Sequence, residues 1–205
     1  MTDHTPLRDL LAGADAGALP TLPGRRVSLR QLTAADAPAI HAVFGDPEVT
    51  RYWAGPTLAD ERAARALVAE IVERGRTRRG FQWGIARRDD DRVIGTCSLY
   101  RPELAHRRCE VGFALGRAHW GRGYAAEALD VVMTYAFERL GLHRLEADVD
   151  PRNEPSLRAL ERAGFRREGY QRERWHVNGE LQDSVLLGVL RAEWRPREWR
   201  PRVDA

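Results

Sequence analysis

The chain has 205 residues, a formal net charge of +3, 43% hydrophobic residues and 31% charged residues. These values are typical of a single folded domain with a sizeable core, and they exclude disordered and collagen-like chains. The small basic excess does not by itself indicate a nucleic acid partner, and we expect none.

Neither a membrane nor a metal is expected as a partner. No apolar run approaches the length of a membrane span, and the N-terminus lacks a basic region followed by an apolar stretch. Cys97 and Cys109 lie in predicted strands without CxxC spacing, which predicts reduced, buried thiols and a cytoplasmic location. Metal-ligand spacing is absent among five histidines: His41, His106, His119, His143 and His176.

The first part of the chain predicts an arm, one strand and two helices. Residues 1–23 are rich in Gly, Ala, Pro and Thr, and we expect a flexible N-terminal arm. Residues 26–32 alternate as a strand does, and apolar spacing predicts helices over residues 34–44 and 57–73. Residues 49–56 form an aromatic loop between these helices.

The rest of the chain predicts more strands and two further helices. Charged turn residues separate strands 81–86 and 92–100, and strand 108–115 leads to a helix over residues 124–140. A strand at 144–148 and a helix at 154–163 follow, and then a hairpin of residues 166–177 and 181–190 around Asn178-Gly179. We therefore expect one domain over residues 24–194, followed by a basic Trp/Arg/Pro tail over residues 195–205.

The stretch around Gly121-Arg122-Gly123 joins a strand to a helix. The first backbone N–H groups of a helix have no partner within it, and glycines let a phosphate approach them closely. The spacing fits neither GxxxxGK[ST] nor GxGxxG. The loop alone therefore leaves two interpretations open, an anion site or a tight turn that needs glycine for its geometry.

Two longer motifs decide between them. WGRGYAAEA, starting at Trp120, resembles the acetyl-CoA loop of the GCN5-related N-acetyltransferases (GNAT), in the branch named after the RimJ and RimL ribosomal-protein N-terminal acetyltransferases. NEPSLRALERAGF, starting at Asn153, is similar to a second segment of that family. The resemblance covers residues 26–194. It implies a mixed α/β fold with a mostly antiparallel twisted sheet of about seven strands, splayed between the fourth and fifth, and four flanking helices.

The resemblance implies an acetyl-CoA-dependent N-acetyltransferase. The acetyl group would pass from the thioester to a primary amine, either a protein N-terminal α-amine or a small-molecule amine, by direct attack in a ternary complex. A neutral α-amine is far more available near neutral pH than a neutral lysine amine, because their pKa values are near 8 and 10.4. The implied cofactor-binding residues are Phe113, Ala114, Leu115, Arg117, Gly121, Arg122, Gly123, Tyr124, Ala125 and Asn153.

Two residues are candidates for proton transfer. The tyrosine that many members of the family place seven residues after the asparagine is Leu160 here, so Ser156 is the candidate acid, directly or through a water. Glu110 shares a strand face with two small residues and is the candidate base. The alternatives are a surface serine on the helix and a glutamate paired with a neighbouring arginine.

Four aromatic residues are expected to wall the amine site: Tyr52, Trp53, Trp83 and Trp175. Core packing is the alternative for Trp83. Two other functions stay open, a catalytically silent acyl-CoA-binding or regulatory module, and an RNA-associated protein that uses the basic tail. The chain is expected to be a monomer or a homodimer.

Overall fold

A computed structural model describes residues 18–196 apart from residues 54 and 178. Its strands form one sheet in the order β1-β2-β3-β4-β5-β6-β8-β7. The strands are β1 Leu22–Pro23, β2 Val27–Arg30, β3 Gly80–Arg87, β4 Val93–Glu103, β5 Arg108–Leu115, β6 Arg144–Val149, β7 Arg166–Val177 and β8 Glu180–Leu190. The α-helices of the described chain are α1 Ala37–Phe44, α2 Pro47–Thr50, α3 Glu61–Arg76, α4 Tyr124–Thr134 and α5 Glu154–Arg162.

The sheet opens between β5 and β6. These strands are parallel, whereas every other neighbouring pair in the described sheet is antiparallel. They pair only over Arg108–Glu110 and Arg144–Glu146, so the remainder of each strand lacks the other as a hydrogen-bonding neighbour. The predicted fold and its splay are confirmed. The short strand β1 raises the strand count to eight and places the splay between the fifth and sixth strands.

Helices cover both faces of the sheet. Alternating side chains of β3, β4 and β5, among them Trp83, Leu99 and Val111, pack with α4 on one face. The opposite face packs against α1 and α3 through a second cluster that includes Ile40 and Ile71. Burial of these apolar side chains is the main stabilisation of the fold, worth about 1.5–3 kcal/mol for each large one.

The described part of the predicted N-terminal arm belongs to the folded domain. Leu22 is buried, and β1 pairs with β2. The carbonyl of Pro20 accepts a hydrogen bond from Trp83 Nε1 at 3.0 Å, and the backbone nitrogen of Leu19 donates to Gln31. The predicted boundary after residue 23 is therefore wrong for residues 18–23. Residues 1–17 lie outside the described residues.

Two helices differ from their predicted bounds. Helix α3 begins at Glu61 rather than at residue 57, because the side chain of Asp60 caps it by accepting a hydrogen bond from the backbone nitrogen of Ala63. Helix α4 changes after Thr134 into the π-helical turn Tyr135–Arg139. No described helix is long and apolar enough to cross a membrane.

The C-terminal hairpin of β7 and β8 forms as predicted, although Asn178 of its expected turn lies outside the described residues. Trp194 follows the hairpin and packs on Phe137, with ring centroids 5.2 Å apart. Of the predicted tail, residues 195 and 196 are described, and residues 197–205 lie outside the description.

Candidate functional site

The glycine loop leads directly into the first turn of α4. Gly121 and Gly123 have φ values of +71° and +80°, a left-handed conformation that other residues rarely adopt. Gly123 is the N-cap of α4, so the first free N–H groups of this helix of 11 residues follow it at once. Both the positive end of the helix dipole and these N–H groups favour a bound anion.

Arg26 and Glu127 fix the loop from behind. The carboxylate of Glu127 accepts hydrogen bonds from the backbone nitrogens of Arg26 and Val27 and from Arg26 Nε. Arg26 Nη1 donates to the carbonyl of Arg122 at 3.0 Å, and its guanidinium lies 5.0 Å from the centre of the Tyr124 ring. Burial opposes ionisation of Glu127, but these hydrogen bonds outweigh it and hold the pKa of the carboxyl below its usual value.

A cleft of about 1220 Å³, here called the loop cleft, lies in front of the glycine loop. Its walls are the loop, the end of β5 and the first turns of α5. The arginines that line it are Arg25, Arg26, Arg51, Arg122, Arg152, Arg158 and Arg162, against the single acidic residue Glu48 among its described lining residues. This charge and the free helix N-terminus fit a long ligand that carries several phosphates, as coenzyme A does.

Nine of the ten predicted cofactor-binding residues line the loop cleft: Phe113, Ala114, Leu115, Gly121, Arg122, Gly123, Tyr124, Ala125 and Asn153. Arg117 does not lie among the described lining residues. Its guanidinium pairs with Asp46 at 3.0 Å, and its side chain is 64% exposed. Of the ten predicted residues, Arg117 is the one that the structure sets apart from the described lining of the cleft, next to Asp46.

A second cavity of about 440 Å³, here called the splay cavity, lies at the opening between β5 and β6. Gly112 and Asp148 are among the residues that line it from these two strands. Five residues line both the splay cavity and the loop cleft: Tyr52, Trp53, Phe113, Asn153 and Ser156. A ligand in one space can therefore meet a ligand in the other at this junction.

Ser156 lies in the first turn of α5, at the junction. Its backbone nitrogen donates to Asn153 Oδ1 at 3.3 Å, so Asn153 acts as the N-cap and leaves the serine hydroxyl for other partners. Leu160 lies one turn later, buried and lining the splay cavity. Helix α5 thus presents a serine hydroxyl at the junction and a leucine at position 160.

Glu110 lies beside two residues of β4. Arg101 Nη1 lies 3.1 Å from its Oε1, and Tyr100 is its cross-strand neighbour. Burial, together with the negative charges of Glu110 and Asp148, raises the pKa of Tyr100, so this phenol keeps its proton at neutral pH. Tyr100 and Arg101 line the splay cavity, whereas Glu110 is not among the described residues that do.

Three of the four predicted aromatic wall residues line the splay cavity: Tyr52, Trp53 and Trp175. Trp83 is completely buried, contacts Tyr135 edge-on, and donates its indole N–H to Pro20. The prediction that Trp83 contacts the substrate is wrong. Its position on the α4 face of the sheet makes it a core residue.

Sequence reasoning missed the acidic residue at the splay. Asp148 is nearly buried, and it accepts hydrogen bonds from Arg174 Nε at 2.5 Å, from Trp175 Nε1 at 3.2 Å and from Ser184 Oγ. Three donors on one carboxylate hold the indole of Trp175 in the cavity wall. The alternating pattern of β6 placed Asp148 on a strand, but nothing local indicated the splay beside it. No cluster of three potential metal ligands occurs in the described chain.

Comparisons with known proteins agree with this geometry. A family model for the GNAT acetyltransferase domain matches residues 26–166. The chain is 36% identical over 179 residues to the uncharacterized N-acetyltransferase YoaA of Bacillus subtilis (strain 168), covering 87% of this chain and 99% of that protein. It is 27% identical to the [ribosomal protein uS5]-alanine N-acetyltransferase of Escherichia coli (strain K12), over 66% of this chain and 69% of that one. The crystal structure of a GCN5-related N-acetyltransferase from Brucella melitensis superposes with a TM-score of 0.78 at 26% identity, covering 88% and 82% of the two chains.

Proposed function

Because the chain belongs to the GNAT acetyltransferase family, we propose that this N-acetyltransferase acetylates a primary amine held in the splay cavity. Acetyl-CoA supplies the acetyl group as an activated thioester. The observation that carries the proposal is the junction, where Phe113 and Ser156 line both the loop cleft and the splay cavity. A donor in the cleft and an amine in the cavity can then be bound together, as direct transfer in a ternary complex requires.

The loop cleft holds the phosphates. The free backbone N–H groups after Gly123 would bind an anion at the start of α4, and Arg122 lies beside them. Phe113, Ala114 and Leu115 form the end of β5 beyond its paired residues Arg108–Glu110, where an extended chain can add as a strand. These residues would orient the thioester towards the junction.

The proton movements fall to three side chains. Ser156 is the candidate donor to the leaving thiolate, because its hydroxyl lies at the junction and its backbone nitrogen is already bonded to Asn153. Glu110 is the candidate acceptor of the amine proton. Tyr100 lies in the cavity wall and is the cross-strand neighbour of Glu110, so its phenol is the candidate relay between the amine and that carboxylate.

Among the amines of a protein, the favoured acceptor is an N-terminal α-amine rather than a lysine side chain. At neutral pH about a tenth of an α-amine is already neutral, whereas a lysine amine is neutral at about the thousandth level. Deprotonating the lysine costs about 3 kcal/mol more. This lower cost of deprotonation favours the more acidic amine.

The release of free thiol from acetyl-CoA, followed over a panel of amines and N-terminal peptides, tests the proposal. Turnover with at least one primary amine supports an enzyme. A protein that binds acetyl-CoA but consumes none with any amine would be a silent acyl-CoA-binding module, a second candidate that the presence of Leu160 in place of a tyrosine favours.

A further inference from the structure

The α3 end of the splay cavity carries two arginines whose side chains form no hydrogen bond to a described carboxylate. Arg74, in the last turn of α3, and Arg79, just before β3, both line the cavity. Arg74 Nε lies 3.7 Å from Glu70, beyond hydrogen-bond distance, and this buried nitrogen has no hydrogen-bond partner among the described residues. Arg79 makes no side-chain ion pair with any described residue within 4.0 Å. The nearby Glu73 is already bonded by both Arg76 Nε and Nη2.

The three acidic residues that line the same cavity already accept hydrogen bonds from other protein groups. Asp148 is bonded to Arg174, and Asp150 to Arg152. Asp183 accepts hydrogen bonds from the phenol of Tyr170 and from the backbone nitrogen of Glu173. The partners of Asp183 are neutral, so its negative charge stays, and the unmatched positive charge of the cavity lies at the end formed by Arg74 and Arg79.

This end lies some distance from the junction. Gly80, which follows Arg79, pairs with Tyr100, and Phe113 at the junction lies in the cross-strand row of Trp83 and Cys97. The two rows are three residues apart along the strands, about 10 Å at 3.3–3.4 Å per residue. A ligand that spans the cavity would carry its amine and its charged group several bonds apart.

We propose that the acceptor is an amine that also carries a carboxylate, which Arg74 and Arg79 bind while the amine lies at the junction. The proposal rests on the proposed acetyltransferase function. The same chemistry occurs in an ω-amino acid and in a peptide with an acidic residue close to its N-terminus. A guanidinium matches a carboxylate through paired N–H donors, and one charge-assisted hydrogen bond changes binding about tenfold or more.

The experiment compares matched acceptors. Initial rates of thiol release are measured for ω-amino carboxylates of two to six methylenes and for their primary amides, and for N-terminal peptides with Glu or Gln at the second and third positions. The wild type should have at least a tenfold higher kcat/KM for one acid than for its amide. Preference among the ω-amino acids would identify a small molecule, and preference among the peptides a protein N-terminus.

Variants connect this preference to the two arginines. Arg74→Gln and Arg79→Gln should reduce it to within about twofold, through KM, with kcat for the amide unchanged. Arg65→Gln is the control, because Arg65 lies on the same helix, pairs with Glu61 and is not among the described lining residues. The control should keep the full preference. Equal rates for acids and amides, or a preference that survives in the Arg74→Gln/Arg79→Gln double variant, would overturn the proposal.

Calorimetry separates this proposal from the acetyltransferase function. Binding of the same ω-amino carboxylates to the protein is measured without turnover. Binding that weakens at least tenfold in Arg79→Gln supports the carboxylate site even if no acceptor in the panel reacts. An absence of carboxylate binding, combined with turnover of neutral amines, overturns the site and leaves the acetyltransferase function standing.

Discussion

The carboxylate of Glu127 accepts hydrogen bonds from the backbone nitrogen and from the Nε of Arg26, at 2.6 and 2.9 Å. The two residues are 101 positions apart, and they join the start of β2 to the first turn of α4. Arg26 also donates to the carbonyl of Arg122 within the glycine loop. The shape of the glycine loop therefore depends on a contact between residues 101 positions apart in the chain.

Replacing Glu127 with Gln should destabilise the fold by about 1–3 kcal/mol at pH 7, because a charge-assisted contact becomes a neutral one. The pKa of Glu127 is lowered in the folded state, so its contribution is complete above its unfolded pKa of 4.5 and is lost as the pH falls through the folded value. Urea unfolding at pH 7 and pH 4 measures this. The gap between wild type and variant should shrink at pH 4.

Glu138 provides the control for that measurement, because it follows on the same helical segment and is exposed. Glu138→Gln should unfold within about 0.5 kcal/mol of wild type at both pH values. If Glu127→Gln loses the same free energy of unfolding at pH 4 as at pH 7, the negative charge of Glu127 does not contribute to stability, and the shape of the side chain does.

Gly123→Val should weaken acetyl-CoA binding at least tenfold. A side chain there would stand at the mouth of the helix N-terminus, with its Cβ 3.2 Å from Arg26 Nη2. The left-handed backbone at this position also adds a strain of about 1–2 kcal/mol. Calorimetric titration with acetyl-CoA measures the affinity, and thermal unfolding measures the strain.

Gly179→Val separates strain from obstruction. Gly179 has a similar φ of +85°, and a Cβ there would meet nothing within 4 Å. It lies in the hairpin between β7 and β8, so this variant should lose stability and keep its affinity for acetyl-CoA. Unchanged affinity in a folded Gly123→Val variant would remove the glycine loop from the cofactor site.

The sequence could predict the features whose residues are close together along the chain. Gly121 and Gly123 stand between a strand and a helix, and Asn153 stands before the next helix, so local geometry is enough to predict both segments of the loop cleft. The alternation of β5 likewise predicts which of its side chains share a face. The bounds of some elements moved, as at Asp60, where a competing cap starts α3 later than expected, and the short elements β1 and α2 were not predicted.

The features that sequence could not predict depend on residues far apart in the chain. Arg26 reaches the glycine loop only because β2 lies beside α4, and Asp148 lies at the splay only because β5 and β6 pair for three residues. Arg117 is the reverse case, since its nearness in sequence to the loop did not reveal that it would pair with Asp46. Nothing in the sequence indicated that the N-terminal residues cover Trp83, whose indole N–H donates to the Pro20 carbonyl.

Glu110→Gln should lower kcat/KM most at acidic and neutral pH, and its defect should shrink as the pH approaches that at which the amine deprotonates unaided. Tyr100→Phe should give the same pH dependence, because Tyr100 lines the cavity and is the cross-strand neighbour of Glu110. The double variant should be no worse than either single one. The pH–rate profiles of the two single variants and the double variant measure this, with an acceptor amine that the wild type acetylates at neutral pH.

Arg101→Gln tests the structural alternative for Glu110. It removes the 3.1 Å ion pair but leaves the carboxylate and the phenol in place. If Glu110 accepts the proton, this variant should keep a wild-type pH profile to within a few-fold in rate. A constant, pH-independent defect shared by Arg101→Gln and Glu110→Gln would make the glutamate a structural partner of the arginine.

Ser156→Ala should lower kcat about a hundredfold and leave acetyl-CoA affinity nearly unchanged, because the hydroxyl acts when the thiolate leaves and not when the thioester binds. The backbone nitrogen of Ser156 still bonds to Asn153 in this variant, so α5 keeps its cap.

Ser98→Ala is the control: this hydroxyl also lines the splay cavity, but it donates to the Gly112 carbonyl and lies away from the loop cleft. Single-turnover rates and calorimetry together separate chemistry from binding. Normal turnover in Ser156→Ala would transfer the donor role to a water molecule, and an equal loss in both variants would point to a change in cavity shape instead.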